Sequence, residues 1–304
     1  SNPATKPLDL MPMPAAYESA PAPFGEAGAH EGSAVLEMLY ATNRAPAVAS
    51  DEAHYGGERG GVLRLGAAAV AFGESDLDWA RAREISLLKN RPGHFPLHVD
   101  AISEFGILPD SVSAFTPHEL AEASDGRAAK QFVTRIEAQL ARSPVKDIFI
   151  YVHGYKVTFE NPLMVASELW HFMGYEGAFV AFSWPSTPAR LAYLKDIETA
   201  RLSAQSLRTL VEFLARETSA ARIHIVGYSA GTRLVLAALY ESALIHQRSD
   251  EPTVRRETKL GHVVLVGSDV DPDLFASYVT DGLLRVPAHL SFYTSPTDKA
   301  LHLS

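Results

Sequence analysis

From residue 145 onward the chain alternates short apolar runs with stretches of helical period, and this alternation is the strongest constraint on its fold. The runs fall at 148–152, 178–182, 222–226, 262–266 and 290–293. Each is too short for a core helix and is mostly apolar, so each reads as a strand buried on both faces. Between them, 159–173, 191–216 and 232–245 carry apolar residues at helical spacing, as in the stripe Leu194, Ile197, Leu207, Leu210, Val211 and Leu214. The pattern predicts an α/β fold: a mostly parallel sheet covered by helices on both faces. Right-handed crossovers place the C-terminal ends of such strands along one edge, where ligand sites form.

The first half is less regular. Residues 1–33 hold Pro3, Pro7, Pro12, Pro14, Pro21 and Pro23 among small residues and read as an extended N-terminal arm without ladder or helix bonds. Apolar spots at 10–13 and at Phe24 suggest partial docking. Runs 34–42 and 61–72 read as an antiparallel pair separated by a glycine-rich turn at 55–61. Residues 78–115, with Pro92, Pro96 and Pro109, read as an excursion from the sheet containing a hairpin, and 126–143 as a helix. With 304 residues, 47% of them hydrophobic, one catalytic domain over 34–304 is expected after the arm.

The chemistry-bearing motif is Gly227-Tyr228-Ser229-Ala230-Gly231, between the run ending at Val226 and the helical stretch from Thr232. A sharp strand-to-helix turn leaves no room for side chains two residues either side of its central serine, which explains Gly227 and Gly231. The turn presents Ser229 at a helix N-terminus as a nucleophile, where the Ala230 N–H faces a developing oxyanion. His153-Gly154-Tyr155 ends the 148–152 run, and its loop is expected beside the serine, with the Tyr155 N–H as second donor and Lys156 next. The His153 imidazole reads as a hydrogen-bonding brace for that loop rather than a proton carrier. The carboxylate that orients the base is assigned to Asp298, after the last run, with Asp271 as the alternative and Asp269 and Asp273 nearby. Trp184, with Pro185, Tyr155 and Phe159, is expected near the same edge as a pocket wall or as core, together with His153 and Lys156.

Composition excludes several classes. With no cysteine, disulfides, thiolate nucleophiles and cysteine-held metals are absent, and no metal cluster or cofactor motif is visible. A net charge of −9 and the lack of basic runs argue against nucleic acid as a partner. No stretch reaches the ~18 apolar residues of a transmembrane segment. The chain opens at Ser1 without a signal-peptide profile, so earlier removal of a targeting segment stays open. Oligomeric state is not legible.

Taken together, Tyr40-Ala41-Thr42-Asn43-Arg44, Tyr151-Val152-His153-Gly154-Tyr155, Phe182-Ser183-Trp184-Pro185-Ser186, the serine turn, Asp269-Val270-Asp271 and Asp298-Lys299-Ala300-Leu301 resemble the bacterial α/β-hydrolases of domain of unknown function 900. The resemblance implies the α/β-hydrolase fold, carboxyl-ester hydrolysis and an exported or cell-envelope location. Two positions depart from the family pattern: Tyr228 stands where histidine is usual, and Lys156 where asparagine is usual.

The triad order of this fold requires a histidine after the acid. His246, His262 and His289 read as lying away from the catalytic edge, and His302, four residues after Asp298, is the weak candidate base. The family continues past Asp-Lys-Ala-Leu to a Gly-His segment, so the histidine is expected beyond Ser304, and little or no esterase activity is expected of the 304 residues alone. The competing reading is a binding or scaffold protein that kept the fold without the chemistry.

Overall fold

The computed structural model describes residues 8–19, 24, 32–48, 54–74, 77–91, 93–186 and 193–294. Their strands are β1 (Leu8–Asp9), β2 (Val35–Pro46), β3 (Tyr55–Phe72), β4 (Pro96–Ile107), β5 (Asp147–Val152), β6 (Ala178–Ser183), β7 (Arg222–Tyr228), β8 (Leu260–Val266) and β9 (His289–Tyr293). The helices are α1 (Trp79–Ser86), α2 (His118–Glu122), α3 (Arg127–Arg142), α4 (Asn161–Phe172), α5 (Tyr193–Glu217), α6 (Gly231–Ile245), α7 (Glu251–Thr258) and α8 (Pro272–Thr280). The strands form one sheet in the order β1-β4-β3-β2-β6-β5-β7-β8-β9. Pairing is antiparallel from β1 to β2 and parallel from β2 to β9. Among the described residues no helix is long and apolar enough to cross a membrane.

Each central strand divides its side chains between two cores. Ile148, Ile150 and Val152 of β5 pack with Ala178, Val180 and Phe182 of β6 against the apolar stripes of α3, α5 and α6. Tyr151, Phe179 and Ala181 face the opposite way, toward Leu163, Ala166 and Trp170 of α4 and Trp79 of α1. Complete burial of each such large side chain contributes about 1.5–3 kcal/mol, so both faces of the central sheet are strongly fixed. The α3 stripe Ala128, Phe132, Ile136 and Leu140 recurs every four residues and is wholly buried.

Three sequence expectations need correction. Residues 78–115 are no excursion: they hold α1 and the twelve-residue β4, which pairs with β3. β4 looked irregular because much of it is solvent-facing, and Pro96 stands at its first position, where a strand tolerates proline. The glycine-rich 55–61 segment is not a turn but the start of β3, whose Gly60 passes the Arg44 carbonyl so closely that an added Cβ would lie 2.6 Å from it. The arm does make ladder contact, because Leu8–Asp9 pairs with β4, and Leu10 is buried beside it.

Candidate active site

In-register parallel pairing aligns the strand ends. Val152 sits opposite Phe182 and Gly227, Tyr228 opposite Val266, and Val266 opposite Tyr293, so the loops after β5, β6, β7, β8 and β9 leave from one edge. Ser229 lies there, between β7 and α6, with φ of 51°. A serine in left-handed backbone is strained unless the surroundings hold it. Here its N–H donates to the Val266 carbonyl at 2.9 Å, and its own carbonyl accepts from the Thr232 N–H at 2.9 Å and the Thr232 hydroxyl at 2.6 Å. The Thr232 hydroxyl also lies within hydrogen-bond distance of Ser268 Oγ, at 3.0 Å, tying the turn to the loop after β8.

The loop after β5 lies against the serine. An added Cβ on Gly154 would stand 3.1 Å from Ser229 Cβ and 3.6 Å from its Oγ, and one on Gly231 would overlap the His153 carbonyl. Gly231 is therefore where the helix start meets the neighbouring loop backbone, and Gly154 is where that loop meets the serine. Ala230 is buried at the start of α6, Tyr155 is partly buried and packs on the core, and Lys156 is exposed. Lys156 has φ of 64° and holds its ammonium 4.9 Å from the Tyr155 ring centroid.

His153 braces this loop. It is 1% exposed, its Nδ1 meets the Gly154 carbonyl at 2.5 Å, and its Nε2 accepts the Trp184 N–H at 3.0 Å. That pair of bonds fits the neutral ring with its proton on Nδ1. Burial first, and the nearby Arg44 cation second, hold its pKa well below the usual imidazole range. Trp184 stacks on the His153 ring at 5.1 Å, donates its indole N–H to the His153 carbonyl at 2.7 Å, and has no exposed surface. It supports the loop from beneath rather than walling a pocket.

The other titratable candidates are spread out. Asp269 accepts the Arg233 Nε–H at 3.0 Å, and Arg233 also reaches its carbonyl. Asp271 caps α8, accepting the N–H groups of Asp273 and Leu274 at 2.9 and 3.0 Å. Asp298 and His302 lie outside the described residues. His246 caps the far end of α6. His224, His262 and His289 belong to the opposite edge, where the last two rings stack at 4.5 Å. His54 opens β3, four strands from β7, or roughly 19 Å at ~4.8 Å per strand. No hydrogen bond joins a histidine to Ser229 among the described residues, and no group of acidic or imidazole side chains there is arranged to hold a metal ion.

The strained serine between a parallel strand and a helix, on a doubly covered sheet, is the arrangement of one large superfamily, and the family comparison agrees. A family model described as alpha/beta hydrolase of unknown function (DUF900) matches residues 128–304, more than half of the chain. The chain belongs to this α/β-hydrolase family. No curated protein matches it. The matched region takes in the serine turn, the His153 loop and the segments after β8 and β9; β2, with its Tyr40–Arg44 segment, precedes it.

Sequence reasoning gave Arg44 and Ser186 no role of their own. Arg44 is 1% exposed, and Ser186 is wholly buried. A cation at the end of an apolar run, as Arg44 is in 34–42 followed by Asn43, was the available signal: such a charge stays buried only where several acceptors await it.

Proposed function

We propose that the chain is a serine hydrolase cleaving carboxyl esters through an acyl-enzyme on Ser229. The observation that carries this reading is the left-handed Ser229 at the β7–α6 junction, pressed against Gly154 of the loop after β5. In the proposed cycle a base takes the Ser229 Oγ proton as the oxygen attacks the ester carbonyl. The Ala230 and Tyr155 N–H groups stabilise the resulting oxyanion. Collapse breaks the bond to the leaving alkoxide, which receives the proton from the base, and water repeats the sequence to release the acid.

Asp298 is the proposed carboxylate. The engagement of Asp269 by Arg233 and the capping role of Asp271 both favour it. The base is proposed to come from outside the described residues, either His302 or chain beyond Ser304, because His153 has both ring nitrogens occupied and a lowered pKa.

Turnover of short-chain nitrophenyl esters tests this. Ser229→Ala should abolish it, and Asp298→Asn should lower kcat by orders of magnitude, about 10⁴-fold where a triad acid is lost. Asp271→Asn should leave kcat nearly unchanged. Damage from Asp271→Asn with silence at Asp298 would reverse the assignment of the acid. Turnover that survives Ser229→Ala would end the serine mechanism.

A further inference from the structure

We propose that Arg44 is a positioning residue that sets the oxyanion loop, an inference that rests on the serine-hydrolase reading above. The loop 153–157 is pinned at both ends. At its start, His153 is locked by two bonds to Trp184 and by ring stacking. At its end, Val157 is held through its backbone: its carbonyl accepts Arg44 Nη2 at 3.1 Å and Ser186 Oγ at 3.1 Å, and its N–H donates to Ser186 Oγ at 3.3 Å. Between the pins lie Gly154 against Ser229, the proposed donor Tyr155, and the strained Lys156.

Arg44 links this loop to the rigid sheet. Its Nε donates to Ser183 Oγ at the end of β6 at 3.0 Å, and Nη1 donates to the Gly56 carbonyl in β3 at 3.0 Å. One guanidinium thus bonds three separate segments, and its planar fork fixes their mutual spacing in a way a lysine ammonium does not. Its charge also helps keep His153 neutral, which preserves the Nε2 lone pair that accepts the Trp184 N–H. Releasing the Val157 end lets the Tyr155 N–H drift from the oxyanion position while the substrate-binding surface stays in place. Loss is therefore expected in kcat rather than in KM.

The test compares the wild type, Arg44→Lys and Arg44→Met by hydrogen exchange of the 153–160 peptide and by ester kinetics. Expected are amides at 154–157 exchanging about tenfold faster in Arg44→Met while peptides from β5 and α6 stay unchanged. Its kcat should fall about 10²-fold with KM within about threefold. Arg44→Lys should lie between the two. Unaltered exchange at 154–157 in a folded Arg44→Met protein, or equal effects on kcat and KM, would overturn the proposal. So would global unfolding of both variants, since Arg44 would then serve the whole domain and not this loop. If no form of the wild type that carries the base shows Ser229-dependent turnover, the esterase reading fails, and the exchange arm alone decides whether Arg44 holds the loop.

Discussion

Ser229 and Lys156 both occupy left-handed backbone, one in the serine turn and the other in the loop after β5. For Ser229 the strain is the means by which the turn exposes the hydroxyl, and the Val266 and Thr232 bonds hold it there. For Lys156 no such need is visible, and asparagine adopts this conformation more readily. Lys156→Asn should therefore raise stability by up to about 1 kcal/mol, readable as a higher melting temperature. Loss of the ammonium should also shift preference away from anionic acyl groups more than it changes the rate on neutral esters. A lower melting temperature, or equal rate changes on both ester classes, would contradict this. Gly227 and Gly231 were legible in the sequence because sterics at an elbow leave few alternatives. Arg44 was not, because a long-range buried cation leaves no periodic trace, and its acceptors at Gly56, Val157 and Ser183 are scattered along the chain.

At the level of elements, the arm is held by a small polar lock. Glu168 of α4 is 4% exposed and accepts the Met11 N–H at 2.9 Å, while Arg91 donates to the Leu10 and Met11 carbonyls. Burial pushes the Glu168 pKa up to about 7, against the partial opposing effect of the Met11 bond and of Arg91. A raised carboxyl pKa means that the folded state holds its proton more tightly than the unfolded one. Its contribution to stability is full below the unfolded value near 4.5 and is lost as pH rises through about 7. Glu168→Gln keeps an acceptor for Met11 without the charge, so its melting temperature should gain on the wild type between pH 5 and pH 8. The difference should be on the order of 1–3 kcal/mol. A difference that does not vary with pH would show that Glu168 does not titrate in this range. The same element scale separates what the sequence disclosed from what it hid. Strands β5 to β8 were legible to within a few residues because central strands covered on both faces carry mostly apolar runs; β9 was legible as an apolar run too, although at the sheet edge it is largely exposed and not buried on both faces as its run suggested. β4 was hidden because its solvent-facing residues interrupt the pattern, and β1 because a two-residue edge strand has no pattern to read.

Across the whole molecule, two cores on either side of one sheet fix the strand ends in register, and that register brings the serine turn and the His153 loop into contact. Membership in an α/β-hydrolase family fits this architecture. The loop after β5, which the sequence reading set beside the serine turn, meets Ser229 at Gly154; Asp298 and His302 lie outside the described residues. Activation of the strained serine is the central claim. A fluorophosphonate reacts with a serine only when a working base draws off its proton, so labelling reads out the whole arrangement without knowledge of the natural substrate. Labelling should be carried out on the full-length protein and on residues 1–304 alone, with mass spectrometry of the modified peptide. The account predicts a phosphonyl adduct on Ser229 that disappears in Ser229→Ala and in a variant of the base. Failure of every folded form to label, or an adduct on a different serine, would contradict it and favour a binding protein built on the same fold.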